Sequence, residues 1–168
     1  MKKLFLPFIL VLFLSACKND FKNNSPIFKK INASYSGINF ANTLKENDSL
    51  NYLTYAYMYM GGGISVGDIN NDGLNDLFFT GNMVSNRLYL NKGNLKFEDI
   101  TTIANVEGDN RWFTGVTMAD VNNDGYLDIY CSVSGKYGPK ENLLYINNRD
   151  MTFSEKGKEF GLADAGHS

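Results

Sequence analysis

Residues 67–82 read GDINNDGLNDLFFTGN, and residues 119–134 read ADVNNDGYLDIYCSVS. Asp68, Asn70, Asp72, Gly73 and Asp76 return 52 positions later as Asp120, Asn122, Asp124, Gly125 and Asp128. Further along, Leu88-Tyr89-Leu90-Asn91 returns as Leu144-Tyr145-Ile146-Asn147, Phe97 as Phe153 and Val106 as Leu162, now 56 positions apart. Internal repetition constrains a fold more than any other signal, because it means one supersecondary unit built twice and stacked on itself. The four extra residues of the second copy fall in 134–139, where two Gly and a Pro suit a lengthened hairpin.

Each copy divides into four short apolar runs separated by turn residues. The expected strands are 64–67, 76–80, 87–91 and 96–100 in the first copy, and 116–119, 127–133, 143–147 and 152–155 in the second. Four strands in about fifty residues is the size of a β-propeller blade. The expected fold class is therefore all-β, with four-stranded antiparallel blades of an incomplete β-propeller. Two blades do not close a ring, which takes at least about four. The expected organisation is 64–112 for the first repeat and 113–168 for the second, with the propeller truncated at the C-terminus. An apolar face lined by Val116, Ile129 and Leu144 is expected to be left without a neighbour.

The repeated loop places three carboxylates within nine residues, and like charges that close repel. The pattern Asp-x-Asn-x-Asp-Gly-x-x-Asp suits a hard cation with six to eight oxygen ligands. The expected Ca²⁺ ligands are Asp68, Asn70, Asp72, the backbone carbonyl of Leu74 and Asp76 in one loop. In the other they are Asp120, Asn122, Asp124, the carbonyl of Tyr126 and Asp128. Gly73 and Gly125 stand where the chain must turn sharply. An EF-hand does not fit, because its position twelve is a Glu, and here it is Phe79 or Cys131. A metal-free alternative treats Asn-Asn-Asp-Gly as a hairpin turn only; it accounts for the Asn and Gly but not for Asp at positions one and nine in both copies.

Upstream, Met1-Lys2-Lys3 and the apolar residues 4–14 form a basic n-region and an h-region too short to span a bilayer. Residues 1–16 therefore read as a secretory signal peptide. Leu14-Ser15-Ala16-Cys17 resembles the lipobox of bacterial lipoproteins, which implies cleavage before Cys17 and a lipid on its sulfur; the alternative is a plain signal with an incidental Cys. Residues 17–36, rich in Lys, Asn and Ser, read as a tether. Residues 37–63 read as an N-terminal strand region, since Tyr55, Tyr57 and Tyr59 alternate with Ala56, Met58 and Met60. That tyrosine stripe fits packing between sheets or a binding surface. With Cys17 acylated, Cys131 has no disulfide partner and reads as a small buried hydrophobe.

The string from Gly67 to Asp76 resembles the calcium loop of FG-GAP/VCBS repeats, found in integrin α-subunit propellers and many secreted bacterial proteins. Phe40-Ala41-Asn42, Gly61-Gly62-Gly63, Phe79-Thr80-Gly81-Asn82 and Asn86-Arg87-Leu88-Tyr89-Leu90-Asn91-Lys92-Gly93 extend the similarity to the cartilage-acidic-protein-like group, whose bacterial members often end in an ASPIC/UnbV domain. No ASPIC/UnbV segment is visible. Asn70 and Asn122 stand where some members carry Asp. The resemblance implies a calcium-bearing propeller, commonly of seven blades.

Composition bounds the function. A hydrophobic share of 43% and an aromatic share of 14% exclude a disordered chain, and a net charge of −2 without a basic stripe excludes nucleic acid as partner. No nucleophile–base pair is visible, and the single His is His167. The chain is thus expected to be no enzyme but a lipid-anchored, calcium-stabilised module of the bacterial cell envelope, at the outer membrane or cell surface. Its membrane contact would be the Cys17 lipid, and its partner an extracellular glycan or protein. The alternative is the propeller part of a secreted polysaccharide-active enzyme whose catalytic residues lie elsewhere.

Overall fold

The computed structural model describes residues 26–109, 111–135 and 138–166. The signal peptide, Cys17 and His167 lie outside the described residues, as does the start of the tether. Residues 26–30 are exposed and in neither helix nor strand. From Ile31 the chain forms one unit.

Two four-stranded antiparallel sheets make up that unit. The first contains β1 (Ile64–Gly67), β2 (Asp76–Phe79), β3 (Arg87–Asn91) and β4 (Phe97–Asp99), adjacent in sequence order. The second contains β5 (Phe113–Ala119), β6 (Asp128–Val133), β7 (Leu143–Asn147) and β8 (Phe153–Glu155), in the same order. Short apolar runs such as Leu88-Tyr89-Leu90 are buried on both sides of the sheet, which is why they lack the polar alternation of a one-sided strand. The register repeats: Phe78 pairs with Leu88 in the first sheet, and Tyr130 with Leu144 in the second.

The sheets pack face to face. Ile69, Phe78, Leu88 and Leu90 of the first blade form one buried cluster with Ile129, Cys131, Leu143 and Tyr145 of the second. Val116 and Met118 pack against the same cluster. The expectation that Val116 and Ile129 line an open face is therefore corrected. They lie on the side of the second sheet that the first blade covers. Leu144 is also fully buried, although it shares Tyr130's face, because the chain after β8 returns to that strand. There Lys156 N–H donates to Leu144 O (2.8 Å) and the Tyr130 hydroxyl to Leu162 O (3.4 Å).

The open side of the second blade is lined instead by Val121, Tyr130, Phe160 and Leu162. These stand at the repeat positions of Ile69, Phe78, Ala104 and Val106, which are all buried under the second blade.

Two further corrections concern the N-terminal part. The alternating tyrosines do not form a strand, and no strand lies between residues 37 and 63. Residues 51–60 wind through successive turns: Tyr55 N–H donates to Asn51 O (2.9 Å), and Met58 N–H to Tyr55 O (3.0 Å). The tether likewise gives way before its expected end. Helix α1 (Ala33–Ser36) already belongs to the fold, with Ser36 buried and the Tyr35 hydroxyl donating to Asn94 O (3.1 Å). Residues 38–42 then cover the outer side of the first sheet. Phe40 packs on Phe79 with ring centroids 5.1 Å apart, and Asn39 N–H donates to the Tyr89 hydroxyl (3.2 Å). A second short helix, α2 (Thr101–Ala104), follows β4.

Candidate metal centre

Each acidic loop joins the first two strands of its blade, and the two loops are wound the same way. Asp68 leads the first. Its carboxylate accepts the N–H groups of Asp72 (3.1 Å) and Gly73 (2.7 Å). Asp120 does the same for Asp124 (3.0 Å) and Gly125 (2.8 Å). These bonds need a left-handed step at position four and another at position six. Asn71 (φ 60°) and Gly73 (φ 84°) provide them in one loop, Asn123 (φ 58°) and Gly125 (φ 87°) in the other. Asn and Gly are the residues that adopt this region at least cost.

At position five, Asp72 Oδ1 accepts Leu74 N–H (2.8 Å), and Asp124 Oδ1 accepts Tyr126 N–H (2.9 Å). Among the described residues no hydrogen bond occupies the carbonyls of Leu74 and Tyr126. At position three, Asn70 and Asn122 each donate an amide N–H to the neighbouring carboxylate, Asp72 Oδ2 or Asp124 Oδ2, both at 3.0 Å.

Position nine is different in kind. Asp76 and Asp128 are fully buried. Asp76 accepts Ile69 N–H (2.9 Å) on one oxygen and Asn91 N–H (2.7 Å) on the other. Asp128 accepts Val121 N–H (3.0 Å) and Asn147 N–H (2.9 Å). Burial pushes the Asp76 carboxyl above its ordinary range, and the charges of Asp72 and Asp68 add to that. Among the described residues no Lys or Arg lies within ion-pair distance of either carboxylate. A buried carboxylate without a cation is costly, and each oxygen keeps lone pairs beyond its N–H contact.

The donor set fits a hard cation: three carboxylates, an amide oxygen and a free carbonyl per loop. Among the described residues no three His, Cys, Asp or Glu side chains form a cage by themselves. The carboxylates are spread along the loop, where backbone N–H groups hold them.

The loops touch and are not identical. Asn71 Nδ2 donates to Gly125 O (3.0 Å). Among the described residues only the second carries a cation: Arg149 Nη2 lies 3.2 Å from Asp124 Oδ2 and its guanidinium stands over the Tyr126 ring. The Tyr126 N–H, then Asn122 and Arg149, hold the Asp124 carboxyl below its usual range.

Asn91 and Asn147 were visible as repeat positions, but their work was not. Besides meeting the position-nine carboxylate, Asn91 Nδ2 donates to Asn75 O (2.7 Å) and Asn147 Nδ2 to Leu127 O (3.1 Å). They fasten the loop exit to the third strand. Asn147 also reaches Ile69 O in the first blade (2.8 Å).

Two four-stranded blades stacked face to face, each opened by an acidic loop, define a β-propeller-type repeat module. Residues 68–131 match the family of the FG-GAP-like repeat. The chain is similar to cartilage acidic protein 1 from several vertebrates. It is 38% identical to the Xenopus tropicalis protein over 91 residues, which is 53% of this chain and 14% of that protein. It is 38% identical to the human protein over 72 residues, 42% of this chain and 11% of that one. The mouse protein matches at 38% over 69 residues. The matched part thus spans only a small fraction of these curated relatives.

Proposed function

We propose that this chain is a lipid-anchored, calcium-stabilised module of the bacterial cell envelope that binds an extracellular glycan or protein and catalyses nothing itself. The observation that carries the calcium reading is the duplicated oxygen-rich loop, wound on the carboxylate at position one and closed at position nine by a buried carboxylate that, among the described residues, has no cation beside it. Asp68, Asn70, Asp72, the Leu74 carbonyl and Asp76 would hold one ion. Asp120, Asn122, Asp124, the Tyr126 carbonyl and Asp128 would hold the other. A bound Ca²⁺ supplies positive charge and cross-links the loop to its strands. The chain's own residues position the ligands: Asn91 and Asn147 fix the loop exits, and the N–H groups of residues 72, 73, 124 and 125 fix the position-one carboxylates.

Support for a place outside the cell comes from the signal-like N-terminus and from the FG-GAP-like repeat. The anchor rests on Leu14-Ser15-Ala16-Cys17. Support for a binding rather than a catalytic role comes from Cys131, which is buried, with burial pushing its thiol far above the ordinary range.

Thermal unfolding of the processed, membrane-extracted protein tests the reading. Calcium at a hundredfold excess over Kd should add about 2.7 kcal/mol per site. EDTA should reverse the gain, and magnesium should substitute poorly because it prefers octahedral geometry and keeps its waters. The same preparation should carry an acylated Cys17 by mass spectrometry. A melt indifferent to calcium, or a mature chain with unmodified Cys17, overturns the corresponding half.

A further inference from the structure

The second sheet has a cavity at the end opposite its acidic loop. Thr114 near the start of β5 and Ser134 just beyond β6 form one wall. The acidic loop joins the other ends of those two strands. The facing wall is the turn segment that carries Thr54, Tyr55, Tyr57 and Met60. The cavity measures about 780 Å³, within the usual size of a small-ligand site.

Aromatic rings dominate it. Tyr55 meets the ring of Trp112 edge-on at 5.3 Å, and meets Tyr57 in the same manner at 6.2 Å. Trp112 is almost buried and anchors the group, while Tyr57 is 64% exposed. Burial, then the neighbouring Tyr57, holds the Tyr55 phenol above its ordinary range. Among the described residues the only charged group lining the cavity is Lys140, and no carboxylate lines it.

This combination selects a ligand chemistry. Aromatic faces carry negative charge density, and the C–H-rich face of a pyranose ring is apolar and weakly positive, so sugars lie flat on such rings. Hydroxyls at Thr114 and Ser134 match the hydroxyls of a sugar. A lone ammonium favours a carboxylate on the ligand. An extended peptide would instead add along a free strand edge, whereas this cavity lies off the strand ends and is walled by turns.

We infer that this cavity binds an oligosaccharide, with Tyr55 and Tyr57 as stacking surfaces and Lys140 receiving the carboxylate of a uronic acid. The inference rests on the ligand-binding part of the proposed function and names its site and class.

The test is titration of the full chain, in calcium, with neutral and uronic-acid oligosaccharides of two to six sugars. Uronic-acid members should bind more tightly than neutral ones. Tyr57→Ala should weaken binding at least tenfold, and Lys140→Gln should narrow the preference for uronic acids toward parity. Circular dichroism checks that both variants remain folded. No oligosaccharide binding at millimolar concentration, binding unmoved by Tyr57→Ala, or binding of peptides alone would overturn the inference. The calcium shift of the melt stays intact in Tyr57→Ala if only this inference fails, and is missing from the unsubstituted chain if the metal reading fails.

Discussion

Asp76 shows how much one side chain does here. Its two oxygens accept the N–H groups of Ile69 and Asn91, one from the loop and one from β3, and the residue is fully buried. It therefore ties the loop to the sheet whether or not an ion is bound. Asp72 is exposed, and what it accepts water can replace. Removing a buried acceptor leaves its donors unsatisfied at roughly 1–3 kcal/mol each. In EDTA, Asp76→Ala should then lose about 2 kcal/mol or more by urea denaturation, and Asp72→Ala less than about 1 kcal/mol. A loss for Asp76→Ala no larger than that for Asp72→Ala would mean that the buried N–H contacts of Asp76 contribute no more than the exposed contact of Asp72.

At the level of elements, the blades were legible in the sequence because each strand is a short apolar run closed by turn residues. β1, β3 and β7 run over the residues the repeat marks out, and the other strands differ by a few residues at their ends. The acidic loops were legible for the same reason. The tyrosine segment was not. Period two is a strand signal only where a partner strand offers hydrogen bonds, and here the Asn47 and Asn51 side chains take the N–H groups of Leu50 and Thr54 and turn the chain instead. α1 and α2 have four residues each, too few to show a helical period. The closeness of the blades was also invisible. A Cβ at Gly63 would lie 2.7 Å from Val116 N and 2.9 Å from the Gly115 backbone, where no side-chain motion relieves the clash. Gly63→Ala should push β1 away from β5 and cost about 1–3 kcal/mol. A melting temperature equal to the wild type's would show that the blades do not sit this close.

For the whole molecule, the repeat states what each face wants. Ile69, Phe78, Ala104 and Val106 of the first blade are sealed by the second, while Val121, Tyr130, Phe160 and Leu162 hold the same positions and meet solvent in part. Open apolar faces promote association, and repeat arrays draw stability from neighbour contacts. The 168-residue chain alone should sediment as oligomers, and extension by further repeats of the same kind should make it monomeric. A compact monomer at micromolar concentration would contradict that. Calorimetric titration of the chain with calcium tests the role proposed for the two acidic loops. Two ions should bind per chain, the second loop more weakly because Arg149 already pairs with Asp124. One ion should vanish in Asp68→Ala and the other in Asp120→Ala. No uptake of calcium up to millimolar concentration would rule out both sites.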